Sequence, residues 1–198
     1  MNIIIFVRHG QSSANVKHLL TSDIGGYPLT EEGIEQATSL MKTIPKGIRL
    51  DGFYTSPVLR TVQTAEVISR VCGIAPVKDD RLWERHMGSL NDVAFQSKQA
   101  LVDAVIAEMK SGYEKGMESW DHMQDRIKSF AADAKGMSVA VTHHDVIISA
   151  LGIVDEKYND IDDLTEIEQA SATTIDFEGK KIIGVSESAF PDVSRWQA

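Results

Sequence analysis

The sequence predicts an α/β fold, a three-layer sandwich with a mostly parallel central sheet and helices on both faces. Short β-branched apolar runs, "NIIIFV" (Asn2–Val7) first among them, read as strands buried on both faces. The strand-like runs are followed by helical patterns with recognisable start and stop residues. This alternation continues until a terminal stretch whose own alternation is that of a hairpin.

Each element has its reason. After Asn2–Val7, "YPLTEEGIEQATSLMKTI" gives a helix with Thr30 as N-cap and Glu31 and Glu32 in the first turn. Ile34, Ala37, Leu40, Met41 and Ile44 share its apolar face, and Pro45 and Gly47 stop it. A short strand around Gly52–Tyr54 precedes a helix with Ser56 as N-cap and Pro57 at its first position, closed by Gly73 after Cys72. Residues 96–134 read as two amphipathic helices around the break "KSGYEKGMES". "GMSVAVT" (Gly136–Thr142) is a further buried strand and "DVIISALGIV" its helix. "SATTIDFEGKKIIGVSES" alternates about Glu178-Gly179 as a hairpin.

A chain of 198 residues suits one domain, 1–198, with 85–133 as a helical cap or insertion over the site. A hydrophobic share of 42% and a charged share of 25% exclude wholesale disorder. The net charge of −9 argues against a nucleic-acid partner, yet leaves room for a small anion in a locally basic pocket. With Cys72 alone there is no intrachain disulfide, which suits a reducing compartment. No run reaches the ~20 apolar residues of a membrane span, so the expectation is a cytoplasmic protein without a membrane partner. Oligomeric state is left open, with a homodimer as one option.

Sheets of this kind bind ligands beyond the carboxyl ends of their strands. Three polar clusters fall there: Arg8-His9-Gly10, Ser56 to Arg60, and His143-His144-Asp145. Arg presents a fixed fork of donors to phosphate or carboxylate, and Gly10 would let a backbone approach closely. Arg60 at a helix start needs an anion or an acidic neighbour. Glu84 in "LWERHMGSL" has the chemistry of a general acid or base. No P-loop is present, and Cys72 has Lys78 where a cysteine phosphatase needs arginine. "NDIDDLT" (Asn159–Thr165) lacks the buried strand that an aspartyl nucleophile follows, so it reads as a solvated acidic turn. Metal ligation at His143-His144-Asp145 lacks any H-E-x-x-H pattern, and a serine triad lacks its G-x-S-x-G elbow.

In order along the chain, "FVRHGQSSAN", "PLTEEGIEQA", "YTSPVLRTVQTAEVI", "LWERHMG" and "VAVTHHD" resemble the histidine phosphatase superfamily, the phosphoglycerate-mutase-like group. The resemblance implies a phosphohistidine mechanism with His9 as nucleophile and Arg8, Arg60 and His143 around the phosphoryl oxygens. Glu84 matches the proton donor and acceptor. Gly10 and Gln11 follow the nucleophile, and Ser12 and Asn15 match the loop that closes over the phosphate. Thr21 and Ser22 match a substrate-touching pair, and Arg85 follows the acid. His144 stands where the family usually has glycine, and its ring would either narrow the pocket, supply a charge near the leaving group, or turn away towards the sheet. No metal is implied.

Met87 stands where the cofactor-dependent mutases of this family carry a tyrosine, and Phe95 where they carry a lysine. The insertion that brings their paired arginines is also missing from the pattern. The expectation is therefore hydrolysis of small phosphomonoesters, with no cofactor required and a small phosphorylated metabolite as partner. The alternative is a phosphoglycerate mutase interconverting 3- and 2-phosphoglycerate, with 2,3-bisphosphoglycerate as phosphoryl donor. A third option is a non-catalytic phospho-ligand binding domain.

Overall fold

β1 (Asn2–Arg8) lies inside a six-stranded sheet, with β6 (Gly136–Thr142) parallel on one side and β7 (Ala172–Asp176) antiparallel on the other. In this computed structural model residues 1–134, 136–159 and 165–196 are described. The sheet continues from β6 to β3 (Gly52–Thr55) and β4 (Val77–Lys78), both parallel, and from β7 to β8 (Lys181–Glu187), antiparallel. Asp160–Leu164, most of the expected acidic turn, lie outside the described residues.

Alternation along β1 separates two cores. Ile4 and Phe6 pack with Ala140 and Ile175 on one face, beneath α5 (Trp120–Asp133) and α6 (His144–Val154). Ile5 and Val7 pack with Val139 and Val141 on the other, beneath α2 (Glu31–Thr43) and α3 (Leu59–Cys72). Because both faces are covered, strands such as β1 can be apolar along their whole length. The expected three-layer α/β sandwich, with helices on both faces of a mostly parallel sheet, is the architecture found. Phe190 and Val193 of the tail are buried in the second core, with Trp196 against it.

Three details differ from the sequence expectation. α3 begins at Leu59 with Val58 as N-cap and no side-chain cap, because the Ser56 hydroxyl pairs instead with His143. On α2 the buried residues are Gly33, Ala37 and Leu40, whereas Ile34 is exposed. The face is rotated because Gly33 abuts the Gln11 backbone, where a Cβ would come within 2.0 Å of the Gln11 carbonyl oxygen.

The expected insertion 85–133 also divides. α5 belongs to the sandwich, since Met123, Ile127 and Phe130 are buried against Phe6 and the α6 side chains. The part that stands apart from the sheet comprises β5 (Val93–Ala94), paired with β2 (Leu19–Leu20) after the short α1 (Ser13–Val16), and α4 (Lys98–Lys110). A small cluster of Leu20, Met87, Leu90 and Met117 holds it together. Among the described residues no helix is long and apolar enough to cross a membrane.

Candidate active site

The carboxyl ends of β1, β3 and β6 lie side by side, and the ladder runs on past them. His9 N donates to Thr142 O at 3.0 Å and Ser56 N to Val141 O at 2.9 Å. This brings His9 and His143 ring to ring, with centroids 5.3 Å apart in an edge-on arrangement. Both rings are buried.

Arg60, on the first turn of α3, ties the two histidines together. Its Nε donates to His9 Nε2 at 3.1 Å, and its Nη2 donates to His143 Nδ1 at 3.2 Å and to the Thr21 carbonyl at 3.1 Å. His9 Nδ1 is 2.7 Å from the Gly10 carbonyl, which can only accept. The proton therefore sits on Nδ1, and the lone pair is on Nε2. Burial, then the charges of Arg60 and Arg8, hold the His9 pKa well below its ordinary value. His143 is likewise held low by burial, Arg60 and His9, and its Nε2 contacts Ser56 Oγ at 2.9 Å. Both imidazoles are neutral in this arrangement.

Arg8 is fixed by donation from Nη1 to the Ile167 carbonyl. Its Nε and the Nη1 of Arg60 are buried without a partner among the described residues. Two guanidinium groups with buried, unused donors beside a nitrogen lone pair form a pocket suited to a tetrahedral oxyanion.

Glu84 Oε2 lies 3.5 Å from His143 Nδ1, and Oε1 accepts from the Arg85 backbone at 3.0 Å. Burial, together with the nearby charge of Asp145, outweighs Arg60 and Arg8 and pushes its pKa up to about 7. A carboxyl poised near neutrality can both give and take a proton. Asp145 is held well below the usual carboxylate range: although burial opposes ionisation, His144 Nδ1 at 3.0 Å and the charges of Arg85 and Arg8 prevail. His144 thus lines the cleft as the partner of Asp145.

The loop after His9 does different work from what its residue types suggest. Gly10 N donates to Thr64 Oγ1 at 3.2 Å, and a Cβ on Gly10 would meet the Gly33 carbonyl oxygen at 2.3 Å. Its lack of a side chain serves α2, not a ligand. Gln11 is spent on α2 as well, with its side chain bonded to Thr30 and Glu32. Ser12 is a fully buried N-cap of α1 in a reciprocal pair with Asn15. Of these four, only Asn15 lines the cleft with His9.

Thr21 reaches the site through its carbonyl, which holds Arg60, while its hydroxyl accepts from Asp23 N at 3.1 Å. Ser22 turns away: its N and Oγ both donate to Asn91 Oδ1, at 2.8 and 2.9 Å. Arg85 is buried in the cleft wall. Its Nε donates to the Glu118 carbonyl at 2.8 Å, its guanidinium faces the Tyr113 and Trp120 rings, and its Nη2 has no partner. Two contributors escaped sequence reasoning. Ser56 was legible as a helix cap in a strand-end cluster and Asp145 as part of a possible ligand cluster, neither as the partner of a site histidine.

A histidine at one strand end, arginines with unused donors, a second histidine at the next strand end and a near-neutral carboxyl form one connected constellation. The sequence matches the family model of the histidine phosphatase superfamily (branch 1) over residues 4–186. The chain belongs to that superfamily. It is 32% identical over 98% of its length to a 2,3-bisphosphoglycerate-dependent phosphoglycerate mutase of Thermoplasma acidophilum, of which it spans 97%. The fold is shared with a phosphoglycerate mutase of Bacillus anthracis, at 21% identity, a TM-score of 0.74, and coverage of 94% of this chain and 93% of that one. A provisionally named α-ribazole-5'-P phosphatase of Escherichia coli has the same TM-score of 0.74 at 19% identity, covering 96% and 98% of the two chains. The similar proteins thus carry the names of mutases and of a phosphatase, and the chain is a member of an enzyme family.

Proposed function

We propose that the chain hydrolyses phosphomonoesters through a phosphohistidine on His9. The observation that carries this is the Arg60 Nε–His9 Nε2 contact at 3.1 Å, next to two unused guanidinium donors. His9 Nε2 attacks phosphorus, the ester P–O bond breaks, and protonated Glu84 gives its proton to the departing oxygen. Water then attacks the phosphorus, Glu84 as carboxylate takes its proton, and the P–N bond breaks. Arg8 and Arg60 offset charge on the equatorial oxygens, where positioning and electrostatics do most of the catalysis. Arrival of a phosphoryl dianion would favour the protonated state of His143, which burial and Arg60 otherwise suppress.

A mutase reading is favoured by two other observations: the unpartnered Nη2 of Arg85 in the cleft wall, and the name of the full-length Thermoplasma relative. Against it, Lys98 at the cleft is paired with Glu166, and Arg85 is already engaged by Glu118 and Asp145. In that case 2,3-bisphosphoglycerate would be the phosphoryl donor, whereas hydrolysis requires none.

A single comparison tests both. A quench in alkaline detergent, in which a phosphohistidine survives, after mixing with a ³²P-labelled phosphomonoester should find label on His9 and none in His9→Ala. Label on another residue, or full turnover by His9→Ala, defeats the phosphohistidine proposal. Conversion of 3- to 2-phosphoglycerate, stimulated by 2,3-bisphosphoglycerate and faster than phosphate release, would replace hydrolysis with the mutase reading.

A further inference from the structure

The cleft above His9 has a volume of about 770 Å³, far more than a phosphoryl group needs, and its walls are of two kinds. On one side α4 contributes Leu101, Val102, Val105, Ile106 and Met109, every one of them half-buried. Leu101, Val105 and Met109 also pack on the small Leu20–Met87 cluster, but Val102 and Ile106 pack against none of the three buried clusters. Both line the cleft and are only half-buried, which leaves apolar surface there for a ligand to cover.

The other wall is acidic. Glu84, Asp145, Glu166 and Glu168 all lie close enough to Arg8 to act on its charge. Lys98, the cation that faces them from α4, is tied to Glu166. Arg8 and Arg60 belong to the phosphoryl floor, and Arg85 is paired with Asp145 at 3.6 Å. A phosphoester whose alcohol portion carries a second negative charge would therefore bring that charge beside carboxylates. An apolar alcohol portion meets no such penalty and gains by covering Val102 and Ile106.

We infer that the cleft selects phosphomonoesters with an extended apolar alcohol portion and no second anionic group, with Val102 and Ile106 of α4 as the surface that reads it. This rests on the phosphohistidine reading above and narrows its substrate class. The cleft is continuous from His9 to Ile106, so one molecule can occupy both ends.

The test is a series of n-alkyl phosphates from ethyl to octyl, whose leaving-group basicity is nearly constant. The value of kcat/KM should rise roughly two- to fourfold per added methylene until the cleft is filled. Ile106→Asp and Val102→Asp should each flatten that slope, and Glu166→Gln with Glu168→Gln should raise 3-phosphoglycerate relative to hexyl phosphate. Circular dichroism of each variant shows whether it has folded, and the wild-type slope stands without any variant. A flat wild-type series, with His9 still labelled by ethyl phosphate, overturns the selectivity while leaving the phosphohistidine intact. A slope that disappears because a second copy of the chain covers α4, seen as a dimer that Ile106→Asp dissolves, also overturns it. Absence of label on His9 from every ester overturns both.

Discussion

Arg60 Nε donates to His9 Nε2 at 3.1 Å, so the nitrogen proposed to accept phosphorus is held with its lone pair already facing a cation. The same guanidinium bonds His143 and the Thr21 carbonyl, which fixes its plane at three points. Lysine keeps the charge but offers one compact ammonium in place of that planar fork. Arg60→Lys should lower kcat on the order of 10²-fold, as loss of a preorganised donor does. The check is steady-state kinetics beside a thermal melt. A rate within a factor of three of wild type would show that the fork is dispensable.

Glu84 links both activity and stability to pH, and both should fall as pH rises through its raised pKa. In the proposed mechanism phosphorylation of His9 needs Glu84 protonated, so kcat/KM should fall as pH rises through about 7. On the acid side the limit is protonation of His9, whose pKa is depressed, so activity should persist well below pH 6.5. Stability follows by linkage. A carboxyl raised from 4.5 to about 7 contributes stability in full below its unfolded pKa and loses it as pH rises through the folded value. Glu84→Gln removes that loss. It should melt roughly 5–10 °C above wild type at pH 8, from about 2–3 kcal/mol, with almost no difference at pH 4. Equal differences at both pH values would mean that Glu84 titrates normally.

Gly10 is a packing requirement with catalytic consequences. An alanine Cβ there would lie 2.3 Å from the Gly33 carbonyl oxygen, a backbone atom that cannot rotate away. Either α2 retreats or the loop carrying His9 shifts. Gly10→Ala should destabilise the protein by roughly 1–3 kcal/mol, the usual range for overpacking, and should lower kcat as well because Gly10 O orients His9 Nδ1. Urea unfolding and kinetics on the same sample measure the two effects together. Unchanged stability would show that the Gly10–Gly33 approach is not rigid.

How much of this was legible depended on the range of the signal. β1 and β6 announced themselves because both of their faces are buried, and a doubly buried strand needs no partner to be recognised. The strand-end clusters followed from the topology, and Arg8, His9, Arg60, Glu84 and His143 do converge. What failed was the direction of individual side chains. Ser56 looks like a cap until His143 claims its hydroxyl, and Gln11 looks like a ligand residue until α2 takes every polar group it has. α5 read as part of a cap, because an amphipathic period says that a face is buried without saying against what.

The pair His144–Asp145 offers the last prediction. Asp145 Oδ1 lies 3.0 Å from His144 Nδ1, and Oδ2 lies 3.6 Å from Arg85 Nη1. These contacts, with Arg8, keep Asp145 ionised, and its charge is the second cause, after burial, of the raised Glu84 pKa. Asp145→Asn removes the charge and keeps the shape. The pKa of Glu84 should then fall, so the alkaline decline of kcat/KM should begin at lower pH while the acid limb, set by His9, stays in place. His144→Asn should leave the decline where it is, since Arg85 and Arg8 still hold Asp145 ionised at neutral pH. The measurement is a pH profile of kcat/KM for wild type and both variants. A profile for Asp145→Asn lowered uniformly without displacement would instead make Asp145 a brace for Arg85, and the proton donor would owe its pKa to burial alone.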